Sequence, residues 1–200
     1  MIEVYVEKIE GVWFGSAYEG EKLYATWFGQ EEKGTIKGLQ GILPRNSSFK
    51  KVDKPSALGN RVIAAIKGVY DGKGTSSRFQ LALDHLPTYT GRVLEAVYSV
   101  PVGYATSYGL VAKAVGGGAR AVGNTMAGNP FAPIVPCHRV VCSDMGLGGY
   151  GGGYEGVDNK LALLRREKRG YASRKEIPVK GGNMQVFPVE LVLQKADRHK

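Results

Sequence analysis

Three consecutive glycines, Gly116-Gly117-Gly118, constrain this chain more than any other stretch, because they separate two short segments with helical patterning. Ser107 to Val115 reads as one helix that stops at the glycines, and Ala119 to Ala127 as a second that ends at Gly128, since glycine is the residue best able to leave a helix through left-handed backbone. Helix, glycine turn, helix is the helix-turn-helix signature, although short helical hairpins of this kind also occur as plain packing units. The second helix has an unusual surface: Ala119, Ala121, Gly123, Ala127 and Gly128 are tiny, and Arg120 is its one charged side chain. A helix that reads base edges in the major groove carries several long polar side chains. Small residues instead permit close approach to phosphates or entry into a narrow groove, with Arg120 as a wedge; the alternative is a tightly packed internal helix.

Around this element the chain reads as α/β (α+β) in two domains and an extension. Ile2, Val4 and Val6 alternate with charged residues, and Val12-Trp13-Phe14 and Leu23 to Phe28 follow after glycines, which predicts a small antiparallel meander. The passage from Glu31 to Pro55, with Gly34, Gly38, Gly41 and Pro44, reads as a long loop or irregular connection. Ala57 to Tyr70 carries Leu58, Val62, Ile63, Ile66 and Val69 at helical spacing and closes at Asp71-Gly72. Residues 1–86 are therefore expected to form an N-terminal α/β domain. Residues 87–172 are expected to form a mostly helical domain, beginning with a helix capped by Thr90 that buries Val93, Leu94, Val97 and Tyr98. In 173–200, Ile177, Val179, Val186, Phe187, Val189, Leu191 and Leu193 predict a further strand or packed tail.

Lysine and arginine number 27 against 18 acidic residues, a formal net charge of +9. Such an excess favours a polyanionic partner, nucleic acid first, although proteins are also basic for solubility or ion pairing. No apolar run approaches the ~20 residues a bilayer requires, and the N-terminal MIEVYVEKIEG has no basic segment leading an apolar one, so an intracellular protein is expected. Two cysteines, Cys137 and Cys142, exclude a disulfide framework and a Cys-rich zinc site.

Cys137 lies between Pro136 and His138, with Arg139 next, a polar and electropositive setting expected to favour the thiolate over a core-filling role. Neighbours in sequence need not touch, so a base role for His138 is a question of geometry.

Pro136-Cys137-His138-Arg139-Val140, preceded by Asn129-Pro130, resembles the active-site signature of the O6-alkylguanine-DNA alkyltransferases, also called methylated-DNA-protein-cysteine methyltransferases. The resemblance extends through Thr106-Ser107-Tyr108, Arg120-Ala121-Val122-Gly123 and Met126 upstream, and through Gly148 to Gly152 and Lys160 to Glu167 downstream, covering roughly 90–170. It implies Cys137 as alkyl acceptor, His138 as base through a bound water, Glu167 as the carboxylate that orients it, Tyr108 as proton donor to the leaving base, and Asn129 as stabiliser of the cysteine turn. A guanine inside a duplex hides its alkyl group, so the nucleotide must be extruded. The resemblance accordingly implies Arg120 filling the vacated stack, Thr106, Ser107, Ala119, Ala121, Gly123 and Asn124 facing DNA, and Tyr108, Met126, Val140, Tyr150 and Gly151 around the flipped base. The implied partner is double-stranded DNA carrying O6-alkylguanine, or O4-alkylthymine, approached from the minor groove by a monomer that uses no cofactor and repairs one lesion.

Departures from the pattern are specific. Some relatives bind zinc near the N-terminus, but that region here holds no cysteine and only His85, so no structural metal is expected. Ala132 stands where the family commonly has proline, and Gly151 where serine is frequent, which bears on tolerance for bulky alkyl groups. Relatives that bind damage without repairing it lack the cysteine that is present here. Without the resemblance, Glu167 reads as an exposed acid on a basic helix over 160–169, and two other readings stand: a damage-sensing DNA-binding protein with a structural Cys137, and a Cys/His hydrolase.

Overall fold

Ile2, Val4 and Val6 bury one face of β1 (Ile2–Ile9), which pairs antiparallel with β2 (Val12–Glu19), as β2 does with β3 (Lys22–Gly29). The expected meander is thus the centre of the N-terminal sheet. A computed structural model describes residues 1–150 and 156–198. It contains two compact units, the first comprising Met1–Val69, Thr75–His85 and Pro130–Ile134, the second Tyr70–Gly74, Leu86–Asn129 and Val135–Lys200.

In the first unit the chain after β3 forms α1 (Glu32–Ile42), where the glycines had predicted a loop. The glycines are there for close packing. A Cβ on Gly38 would lie 2.5 Å from Cε2 of Trp27, and one on Gly15 of β2 would lie 2.7 Å from Cδ1 of Leu39. The helix can therefore settle onto the sheet, burying Thr35 and Leu39 over Val4, Val6 and Ala25. β4 (Phe49–Lys51) then pairs parallel with β1, α2 (Ala57–Tyr70) buries the five apolar residues its spacing indicated, and β5 (Gln80–Leu81) pairs parallel with β3. The strand order is β4-β1-β2-β3-β5. Pro130–Ile134 joins this unit through β3, whose Thr26 donates its N–H to the Pro130 carbonyl and its hydroxyl to the Ala132 carbonyl, each at 2.9 Å.

The second unit opens with α3 (Thr88–Tyr98), which follows Pro87 rather than starting at Thr90; proline's fixed φ of −54° already sets the entry, and Thr90 lies within the first turn. Its Val93, Leu94 and Val97 are buried while Tyr98 is only half-buried. β6 (Tyr104–Ser107) runs straight into α4 (Tyr108–Val115), whose start is capped by the Ser107 hydroxyl accepting from Leu110 N–H at 3.2 Å. After the three glycines comes α5 (Ala119–Ala127), completing the helix-turn-helix that the sequence indicates. The expectation of a mostly helical unit needs one addition, a four-stranded sheet. β7 (Val140–Val141), α6 (Val157–Arg166), β8 (Lys175–Val179), β9 (Gly182–Pro188) and α7 (Val189–Asp197) follow, and the sheet order is β7-β6-β9-β8. Residues 173–200 thus supply a hairpin and a helix. Phe187, Val189, Val192 and Leu193 form one buried cluster with Ala105, Val141 and Leu164. No helix among the described residues is long and apolar enough to cross a membrane.

Gly59 in α2 is a test of the packing. A Cβ there would lie 2.6 Å from the hydroxyl of Tyr18, which is 1% exposed and accepts the Ser56 N–H at 3.0 Å. Gly59→Ala gains about 1 kcal/mol of helix propensity but is expected to lose more from overpacking, roughly 1–3 kcal/mol. Urea unfolding should show a lower midpoint; a raised one would contradict this account of α2.

Candidate active site

Cys137 begins a single 3-10 turn, Cys137–Arg139, set between Pro136 and β7. Its N–H donates to the Val135 carbonyl at 2.8 Å, and the Arg139 N–H to the Pro136 carbonyl at 2.9 Å. Asn129, buried at the end of the helix-turn-helix, donates Nδ2 to that same Val135 carbonyl at 2.8 Å and hydrogen-bonds the Cys137 thiol. One amide therefore fixes the turn and touches the sulfur it presents.

Behind the thiol lies a buried ionic knot. His138 and Glu167 are both 0% exposed, and Nε2 of His138 is 2.8 Å from Oε1 of Glu167. A carboxylate can only accept, so Nε2 carries the proton and Nδ1 is the basic nitrogen. That Nδ1 is buried and has no hydrogen-bond partner among the described residues. Arg139 grips the same carboxylate, with Nε 2.9 Å from Oε2 and Nη2 2.8 Å from Oε1, while Nη1 donates to the Val100 carbonyl at 2.6 Å. The Gly103 N–H adds a longer contact to Oε2 at 3.4 Å.

The electrostatics reverse one expectation. Burial pushes the Cys137 thiol up, and the Asn129 hydrogen bond and the Lys160 charge offset this only in part. Arg139 does not serve the thiol, because its charge is spent on Glu167. Burial also lowers His138 despite Glu167, which keeps the imidazole neutral. Burial alone would raise Glu167, but His138 and Arg139 outweigh it and hold the carboxyl at about 2. A protonated thiol, a neutral imidazole and a charged carboxylate stand together, an arrangement suited to deprotonating sulfur when a substrate arrives.

Two contributors were not singled out from the sequence. Lys160 is 0% exposed and donates to the carbonyls of Val140 at 2.7 Å and Gly149 at 3.2 Å, with its ammonium 5.7 Å from the Tyr108 ring centre. Burial lowers its pKa to about 8. Arg139 was read as a neighbour of the thiol rather than as the partner of Glu167. The available signal was periodicity: Lys160, Leu163, Leu164 and Glu167 share the inward stripe of α6, so two charged residues occupy core positions. Glu167 is the residue that closes α6, fully buried and not an exposed acid.

The remaining candidates divide. Tyr108 is half-buried, and burial, with both thiols nearby, pushes its hydroxyl up to about 12, so it holds a proton available for donation. A Cβ on Gly148, which has φ of +66°, would lie 3.2 Å from the Cys142 sulfur and 3.3 Å from the Tyr108 ring, so Gly148 lies directly against Tyr108. Tyr150 is half-buried; Gly151 lies outside the described residues. Met126 is buried, and the Val140 carbonyl is taken up by Lys160. On α5, Ala119, Arg120, Ala121 and Asn124 are exposed, and a Cβ on Gly123 would meet nothing within 4 Å. Their outward face is small except for Arg120, which excludes the packed internal helix. Thr106 and Ser107 are different: both are buried, Thr106 donating to the Gln185 carbonyl at 2.9 Å and Ser107 capping α4. They hold β6 and α4 in place rather than lining a surface.

A buried cysteine beside a buried histidine-carboxylate pair, in the unit that carries a helix-turn-helix with an exposed second helix, fits a class: cysteine chemistry joined to a nucleic-acid-binding element. Residues 88–169 match the family described as "6-O-methylguanine DNA methyltransferase, DNA binding domain". The chain is 39% identical over 168 residues to the methylated-DNA-protein-cysteine methyltransferase of Methanocaldococcus jannaschii, covering 84% of this chain and 95% of that protein. It is 38% identical over 131 residues to the protein of the same name from Mycobacterium leprae, covering 64% and 70%. Among solved structures, Mycobacterium tuberculosis OGT in complex with DNA superposes with a TM-score of 0.63 at 27% identity, over 83% of this chain and 92% of that one. The O6-methylguanine-DNA methyltransferase of Pyrococcus kodakaraensis gives 0.63 at 28%, over 84% and 99%. The chain belongs to the methylated-DNA-protein-cysteine methyltransferase family.

The knot has a pH signature. Glu167 is depressed from 4.5 to about 2, so its contribution to stability is present above pH 4.5 and lost as pH falls through 2. His138 is lowered from 6.5, so its contribution begins to fade below pH 6.5, where the unfolded histidine takes a proton the folded one resists. The urea midpoint is expected to fall as pH drops, and Glu167→Gln to flatten the stretch between 4.5 and 2. An unchanged slope in that variant would contradict the assignment.

Proposed function

We propose that this protein repairs alkylated DNA by moving an alkyl group from O6 of guanine, or O4 of thymine, to Sγ of Cys137, once per molecule. The observation that carries this reading is the buried His138-Glu167-Arg139 knot behind the thiol. Glu167 pins Nε2–H, leaving Nδ1 to take the thiol proton through a water. The sulfur then attacks the alkyl carbon in line as the carbon–oxygen bond breaks, and Tyr108 protonates the departing base, so the guanine leaves neutral. The product thioether has no ready leaving group, which makes the reaction stoichiometric. The exposed small face of α5 supports approach to double-stranded DNA from the minor groove, with Arg120 entering the stack in place of the extruded nucleotide. In this reading catalysis resides in residues 87–172 of a monomer, and Tyr108, Met126 and Tyr150 surround the flipped base.

Incubation with duplex DNA bearing O6-methylguanine should add a single methyl group to Cys137 by mass spectrometry, and none to Cys137→Ala. Arg120→Ala should slow duplex repair by about 10-fold or more while leaving the reaction with free O6-benzylguanine, which needs no extrusion, near the wild-type rate. Multiple turnovers, a methyl on another residue, or equal losses on both substrates would contradict the reading.

A further inference from the structure

We propose that Glu190, in the first turn of α7, is a positioning residue for the relay: it captures the turn that follows Glu167 and thereby fixes that carboxylate against His138. The inference rests on the relay reading given above. It assigns a task to residues 173–200, which lie outside the matched family region of 88–169.

Glu167 stands where α6 ends, its N–H shared between the carbonyls of Leu163 and Leu164 at 3.2 and 3.1 Å. Helix ends fray, so a relay group placed there needs an anchor beyond the helix. The next residues supply one. The N–H groups of Arg169, Gly170 and Tyr171 all donate to a single oxygen, Oε1 of Glu190, at 2.9, 2.5 and 3.2 Å. Gly170 has φ of +74°, which lets successive N–H groups converge into an anion-binding nest.

A second path reaches the same carboxylate. The Val189 N–H, adjacent to Glu190, donates to the Gly103 carbonyl at 3.0 Å, and the Gly103 N–H meets Oε2 of Glu167 at 3.4 Å. A Cβ on Gly103 would lie 2.8 Å from the Tyr171 ring and 3.0 Å from Cγ of Arg169, so the captured turn packs directly on this bridge. From the other side, Arg166 stacks its guanidinium 4.1 Å from the Tyr70 ring centre and donates to the Tyr70 carbonyl at 3.0 Å, while Arg169 donates to the Gly72 carbonyl. Residues 166–171 are clamped on both sides, and the start of α7 closes the clamp. Displacement of a relay group by ~1 Å can cost about 100-fold in rate, so the clamp has kinetic weight.

The test is the rate of Cys137 alkylation by free O6-benzylguanine against pH, on the full chain and its Glu190→Ala and Glu190→Gln variants, each with and without Glu167→Gln. Glu190→Ala is expected to slow the reaction by roughly 10-fold or more near neutral pH and to move the acid limb of the profile upward, because the thiol must then ionise with less help. Glu190→Gln keeps an acceptor oxygen for the nest and should restore the wild-type profile. With Glu167→Gln already present, Glu190→Ala should have no further effect. Gly170→Ala, whose methyl would meet open space but disfavours the left-handed backbone, serves if Glu190→Ala does not fold, and should shift the profile the same way. A wild-type profile in Glu190→Ala or Gly170→Ala, or an undiminished loss in the Glu167→Gln background, would overturn the proposal. Failure of the wild-type chain itself to alkylate Cys137 would instead overturn the relay reading beneath it.

Discussion

A buried carboxylate shared between an arginine and a histidine governs this site. Glu167 is 0% exposed, and a lone ionised carboxylate at such a position would not stay ionised. Arg139 supplies the compensating charge through three short contacts, which frees His138 from having to be the cation. The buried imidazole can then sit neutral with one nitrogen tied and the other basic. Removing either ionic partner would leave an uncompensated buried charge, a loss of about 3–5 kcal/mol in comparable cases. In the proposed reaction, stability and reactivity therefore draw on the same three side chains.

The second unit is built to serve that knot. β6 delivers Ser107 as the cap of α4, the helix-turn-helix ends at Asn129, and Asn129 reaches the cysteine turn through the Val135 carbonyl. The element that presents a small, open surface is thus joined covalently, within a few residues, to the amide that touches the nucleophile. α6 contributes from the C-terminal side of the cysteine turn, with Lys160 holding the Val140 and Gly149 carbonyls and Glu167 holding His138. The hairpin completes the sheet, and the last helix packs Val189, Val192 and Leu193 into the cluster with Ala105, Val141 and Leu164.

Legibility in the sequence varied with what each glycine does. Gly116 to Gly118 end a helix, and the helical pair was readable from them. Gly34 and Gly38 look the same in sequence but lie inside α1, where Gly38 makes room for Trp27, so composition pointed to a loop where contact geometry dictates a helix. Where a motif exists, the sequence pointed to Cys137, His138 and Glu167, and the fold sets the last two 2.8 Å apart. Lys160 was given no role and Arg139 was read as a neighbour of the thiol, because adjacency in sequence does not show that one is buried against the Val140 carbonyl and the other against the Glu167 carboxylate. The activation state of the thiol was misjudged for a related reason: adjacency suggested an electropositive setting, while the fold directs the guanidinium elsewhere.

All of this turns on one tautomer, His138 neutral with its proton on Nε2 and its base on Nδ1. Nitrogen-15 NMR of histidine-labelled protein at neutral pH addresses this directly. A protonated Nε2 and an unprotonated Nδ1 are expected for His138, beside a protonated Cys137 thiol. An imidazolium paired with a thiolate, or a proton resident on Nδ1, would contradict it.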